Sequence, residues 1–201
     1  MTARPIVDLA WEWLDRPGLE CARVELGRDT IVASGIVVSV FDEKPLRLTY
    51  TLTCDSGWLF RRATIELDAG AARVIRQIEV SDATWKIDGS VRSELEGCVD
   101  IDIMGSPITN TLPVRRLTWR TGETRELKMA YIRLPDLEVA PALQRYTRLD
   151  DSASSANPSQ RFTYLSVASG FTAEVVMDSE GFVLHYPPVW RRLDWSQFAP
   201  R

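Results

Sequence analysis

Residues 46–53 read Leu-Arg-Leu-Thr-Tyr-Thr-Leu-Thr, a strict alternation that puts Leu46, Leu48, Tyr50 and Leu52 on one side of an extended chain and Arg47, Thr49, Thr51 and Thr53 on the other. Period two predicts a half-buried antiparallel strand, because successive side chains of extended backbone point to opposite faces. Short runs of the same kind, rich in β-branched and aromatic residues, recur at 21–26, 30–40, 58–67, 73–80, 83–87, 127–134, 144–149, 161–167, 171–177 and 182–186. Asp55-Ser-Gly57, Asp88-Gly89, Thr121-Gly122-Glu123 and Asp178-Ser-Glu-Gly181 separate them, with the residue types that reverse a chain. Many strands at near-regular spacing predict an all-β protein. Ile6 to Leu14 is the single stretch with helical potential, ended by Pro17-Gly18, although Trp11 and Trp13 alternate equally well on a strand. The polar run from Asp150 to Gln160, DDSASSANPSQ, reads as a mobile surface loop rather than a domain linker, since strand patterns resume at once. One domain spanning 1–201 is expected.

A chain of 201 residues, 45% of them hydrophobic, is long enough to bury a sizeable core. Its net charge of -4 and its pI near 5.2 lack the basic footprint of sequence-independent nucleic-acid binding, so no nucleic-acid partner is expected. Lys44, Lys86 and Lys128 are the only lysines, and arginine carries nearly all the positive charge. The start of the chain has no unbroken apolar run with a small-residue cleavage pattern, and no apolar stretch reaches the roughly 18–20 residues of a transmembrane segment. Cys21, Cys54 and Cys98 are widely spaced and suit a reduced, cytoplasmic protein.

The densest mixture of charge and apolar residues is GCVDIDIMGSPITNTLPVRRL, Gly97 to Leu117. In a strand, Val99, Ile101 and Ile103 share one face while Cys98, Asp100 and Asp102 share the other, so two carboxylates line one wall. Across the short Ser106–Leu112 connection stand Arg115 and Arg116, whose planar guanidinium groups suit bidentate pairing with carboxylates. An Asp/Arg lattice holding neighbouring strands is expected, with the arginines lowering both aspartate pKa values.

No Gly-Xaa-Ser-Xaa-Gly elbow, P-loop, dinucleotide fingerprint, His-Glu-Xaa-Xaa-His or CxxC motif occurs, and His185 is the lone histidine, beside an aromatic at a strand end. No catalytic residue, metal site or cofactor is assigned. Trp58, Trp85, Trp119, Tyr131, Tyr146, Phe171, Tyr186 and Trp190 are spread over many strands and would converge if the sheet wraps on itself. Interleaved with Arg61, Asn110, Arg116 and Gln144, they would form an apolar cavity with a few polar groups, suited to an amphipathic ligand. An ordinary packed core fits the same pattern.

GCVDIDI followed by SPITNTLPVRRL, then AYIRLPDLEVAPALQRYTRL at 130–149 and FTAEVVMDSEGFVLHYPPVWRR at 171–192, resembles the glycolipid-binding family of bacterial proteins, long catalogued as a domain of unknown function. Pro17-Gly18-Leu19-Glu20 and Leu48-Thr-Tyr50 with Asp55 and Trp58 resemble its opening. Ser106 and Ile108 stand where the family carries threonine and phenylalanine. The resemblance implies a single-domain spiral β-roll, an incomplete barrel of many antiparallel strands, with an interior cleft for a glycolipid or similar amphiphile and no established catalytic residues. The expected ligand-binding set is Trp58, Arg61, Asp100, Asp102, Asn110, Arg115, Arg116, Tyr131, Gln144 and Tyr146. Two rival readings are an enzyme acting on a lipid or sugar with Asp100 or Asp102 as acid/base, and a solid interaction module. None of the three fixes an oligomeric state.

Overall fold

The computed structural model describes residues 4–70, 72–150 and 159–195, so most of the polar run at 150–160 lies outside the described residues. The strands are β1 (Ile6–Trp13), β2 (Gly18–Leu26), β3 (Thr30–Phe41), β4 (Lys44–Asp55), β5 (Phe60–Ala69), β6 (Ala72–Ser81), β7 (Thr84–Ile87) and β8 (Ser90–Val91). After a 3-10 turn at Ser93–Leu95 come β9 (Asp100–Ile103), the helix α1 (Ile108–Arg116), β10 (Thr124–Ile132), β11 (Val139–Arg148), β12 (Gln160–Ser166), β13 (Thr172–Met177), β14 (Val183–Tyr186) and β15 (Trp190–Arg192).

All of them lie in one sheet, in the order β8-β7-β6-β5-β4-β3-β2-β1-β15-β14-β13-β12-β11-β10-β9. Two meanders of sequential neighbours therefore meet side by side at β1 and β15, through Trp11↔Arg192, Glu12↔Arg191 and Trp13↔Trp190. The outer strands β8 and β9 do not pair, so the sheet curls without closing. Every ladder is antiparallel except β9 with β10, which is parallel because α1 carries the chain from one to the other. The segment between the two edges is tied to the strand next to each: the Arg92 amide donates to Trp85 O of β7, and the Val99 amide to Lys128 O of β10.

The alternation seen in the sequence is the alternation of burial. Leu46, Leu48, Tyr50, Leu52 and Cys54 of β4 are buried, while Arg47 and Thr51 are exposed. Ile6–Trp13 is a strand, not a helix, with Trp11 and Trp13 both facing inward. Trp11 is fully buried and its indole N–H donates to Val183 O at 2.8 Å, across the junction of the two meanders. Much of the interior is filled by the chain's own side chains, with Phe60 and Trp85 stacked at 5.5 Å. Ser106–Leu112, expected as a simple connection, instead leads into α1. This helix is buried from Ile108 through Val114, polar Thr109, Asn110 and Thr111 included, and so has no exposed face to produce helical periodicity.

A buried polar tether also joins the two meanders. Glu20 of β2 is fully buried; it accepts a hydrogen bond from Ser106 Oγ at 2.6 Å and another from the Tyr50 hydroxyl, both on Oε1. Burial pushes its carboxyl up to about 8, against the opposing pull of the two hydroxyls. Between the ordinary carboxyl value and that raised one, the folded state holds a proton that the unfolded chain has released. Stability therefore falls as pH rises through this window. Glu20→Gln is expected to flatten the decline, removing at least about 1 kcal/mol of the difference in unfolding free energy between pH 5 and pH 8. Denaturant unfolding at the two pH values checks this, and an unchanged slope would show that Glu20 is not the titrating group.

Candidate functional site

A cavity of about 490 Å³ opens at the end of the roll where β9 to β12 meet β14, β15 and the β1–β2 turn. Its floor is polar: Asp102 from β9, Ser106 from the turn before α1, Asn110 from α1 and Gln144 from β11. Its walls are aromatic, with Trp13, Trp190, Tyr131, Tyr164, Tyr186 and Phe171. Asp15, Arg16, Ala168 and Ser169 form part of the rim. The pleat explains the grouping, because the parallel register sets Asp102 opposite Tyr131 and the antiparallel one sets Gln144 opposite Ser166.

The floor is ordered by neutral donors. Gln144 Nε2 donates to Asp102 Oδ2 at 2.5 Å, and Thr109 Oγ1 lies 3.1 Å from Oδ1. Asn110 Nδ2 donates to the Tyr146 hydroxyl at 3.0 Å behind the wall. Burial raises the Asp102 carboxyl above the ordinary range, and the Gln144 and Thr109 bonds only partly oppose that. Three polar atoms of the lining residues, Trp13 Nε1, Arg16 Nε and Gln144 Oε1, are buried without a hydrogen-bond partner. Orphaned polar atoms facing a cavity favour a guest that supplies the missing bonds. The Trp13 and Trp190 rings lie 4.6 Å apart, with the Arg16 guanidinium 4.7 Å above the Trp13 ring. Gly105, at a φ of +86°, is the close approach that lets Trp13 in, since a Cβ there would sit 2.7 Å from the indole.

Of the ten residues expected to bind a ligand, Asp102, Asn110, Tyr131 and Gln144 line the cavity, and Tyr146 backs it. The others lie elsewhere. Arg61 is an exposed partner of Asp55 at 2.7 Å. Arg115 donates to the Glu180 carbonyl and stacks over Trp58, its guanidinium 4.6 Å from the ring centre. Asp100 is fully buried and takes Arg116 Nη2 at 2.6 Å, so this ion pair ties β9 to α1 rather than one strand to another. The expected lowering of both aspartates is overturned: burial raises Asp100 to about 6 even against Arg116 and the Phe60 amide, and among the described residues no arginine bonds to Asp102. The aromatic set converges only in part, since Trp85 stacks in the core, Trp58 packs on Phe182, and Trp119 packs on Phe162.

Sequence reasoning missed Trp13 and Ser106 as cavity residues, and Glu20 as their neighbour. The signal for Glu20 was present, because it shares a face with Ala22 and Val24 on a strand whose other face carries Leu19, Cys21 and Arg23.

A curled, unclosed sheet, fifteen-stranded among the described residues, with an aromatic-walled, polar-floored cavity at one end, defines a spiral β-roll. The chain belongs to the family described as "Putative glycolipid-binding", whose model matches residues 8–192. It is similar to the crystal structure of a DUF1089 family protein from Pseudomonas aeruginosa, with a TM-score of 0.75 and 30% identity over 87% of this chain and 92% of that one. It also matches the protein named Helicase SWR1 from two strains of Cryptococcus neoformans var. neoformans serotype D, B-3501A and JEC21, at 29% identity over 132 residues. That match takes in 57% of this chain and only 10% and 7% of the length of those curated relatives. No helix among the described residues is long and apolar enough to cross a membrane.

Proposed function

We propose that this protein is a non-catalytic, cytoplasmic binder of a glycolipid or similar amphiphile, with the ligand's head on the Asp102–Asn110–Gln144 floor and its apolar part against the rings. The observation that carries this is the cavity itself: its volume falls in the usual range for small-molecule sites, and a few polar groups converge on one end of an otherwise aromatic lining. The family description points the same way. At about 25 cal/mol per Å², a few hundred Å² of buried ligand surface supports micromolar binding once ordering costs are met.

Native mass spectrometry of protein purified from its host, together with a thermal-shift screen against host lipid extract, tests the proposal. A bound amphiphile, or a rise of several degrees in melting temperature, is expected. Ala142→Trp, which puts a large ring into the cavity from a half-buried position, is expected to remove that rise while leaving the unliganded protein folded. If neither experiment finds an amphiphile, or if Ala142→Trp leaves the rise intact, ligand sheltering in this cavity is refuted.

A further inference from the structure

The charge balance of the cavity narrows the chemistry of its guest. We propose that the head group held at Asp102 is a protonated amine carried on an apolar tail, an inference that rests on the cavity being the amphiphile site. Asp102 lies on the floor with both carboxylate oxygens held by neutral groups, Gln144 on one and Thr109 on the other. Each carboxylate oxygen accepts more than one hydrogen bond, so acceptor capacity remains on both. Among the described residues, no lysine or arginine pairs with Asp102. Arg116 is spent on Asp100, and Arg16 at the rim faces Asp15 at 3.5 Å and is stacked on Trp13 and Phe41. A half-buried carboxylate without a counter-charge is unfavourable in the empty protein, and a cationic guest supplies the missing charge.

The walls favour the same class. Tyr131 stands opposite Asp102 in the β9–β10 register, and Tyr164 and Tyr186 line the same cavity, so the carboxylate shares its cavity with several aromatic rings. Tyr164, Tyr186 and Phe171 form a mutual cluster with centroids 5.8–6.3 Å apart. Ring faces carry negative quadrupole density and attract ammonium groups, most strongly where water is excluded. An anionic head would instead face Asp102 with like charge. A neutral sugar would fill the lone pairs and leave the charge uncompensated. An amino sugar and a long-chain base share the required chemistry.

The test titrates the full-length protein at pH 7 and constant ionic strength with three probes of equal tail length, octylammonium, octyl glucoside and octanoate, by calorimetry. Octylammonium is expected to bind at least about tenfold more tightly than octyl glucoside, and octanoate more weakly than either. Asp102→Asn is expected to bring octylammonium to within about twofold of octyl glucoside. If the glucoside or octanoate binds as tightly as the amine to the wild-type protein, the cationic head is refuted and the cavity reading survives. If no probe binds, the cavity reading itself fails and takes this inference with it. Should Asp102→Asn fail to fold, the wild-type ranking of the three heads decides.

Discussion

Arg116→Ala is expected to lower the unfolding free energy by about 3–5 kcal/mol, the usual consequence of stripping the counter-charge from a buried ion. Asp100 has no solvent contact, and Arg116 is the cation bound to it, through Nη2 at 2.6 Å and Nε at 3.3 Å. Without the guanidinium, the carboxylate must either sit bare in the interior or take up a proton. The loss is therefore expected to shrink as pH falls through the Asp100 value of about 6, because the protonated acid needs no partner. Asp100→Asn/Arg116→Ala should recover part of the loss, since neither variant side chain is charged. Urea unfolding at pH 5 and pH 7.5 measures all of this. A change below about 1 kcal/mol, or one independent of pH, would mean that the pair does not hold α1 to β9.

Gly35→Ala is the second large effect, a destabilisation of about 2–5 kcal/mol from overpacking together with a disrupted buried hydrogen bond. Gly35 lies across the β3–β4 ladder from Tyr50, and a Cβ there would stand 2.3 Å from the phenolic oxygen and 2.4 Å from the ring carbon bearing it. The ring has no easy retreat, because its hydroxyl is anchored on Glu20 inside the core. Adding the methyl therefore displaces Tyr50 from Glu20 or bends the sheet. Tyr50→Ala removes the obstacle, so the double variant should be less destabilised than the sum of the two single ones, a non-additivity that chemical denaturation resolves. Additive losses would show that the ring and the glycine do not compete for the same space.

The strands were legible because each needs only its own pattern: Leu46 to Thr53 announces a two-faced element without reference to anything distant. Helix α1 was not, since its surroundings bury it on all sides and it tolerates Thr109, Asn110, Thr111 and an internal Pro113, residues that locally argue for a turn. The candidate site was half legible. Asp102, Asn110, Tyr131 and Gln144 stood out as polar or aromatic groups in apolar strands, and the cavity gathers them. Asp100 and Arg116 stood out for the same reason, yet form a sealed ion pair, because side-chain type does not reveal which end of a strand faces a void. Glu20, Tyr50 and Ser106 are separated by up to 86 residues, and only the curling of the sheet brings them together.

The junction of the two meanders has a kinetic meaning for any occupant. The β1–β15 ladder runs over only three residue pairs, and its last pair, Trp13 and Trp190, is itself part of the cavity wall. The β14–β15 ladder beside it is shorter still, at two pairs, so this part of the sheet offers little backbone resistance to local opening. Parting at this seam would swing the two indoles away from each other, so the residence time of a guest would follow the breathing rate of the seam, and a bound guest would in turn act as a splint across it.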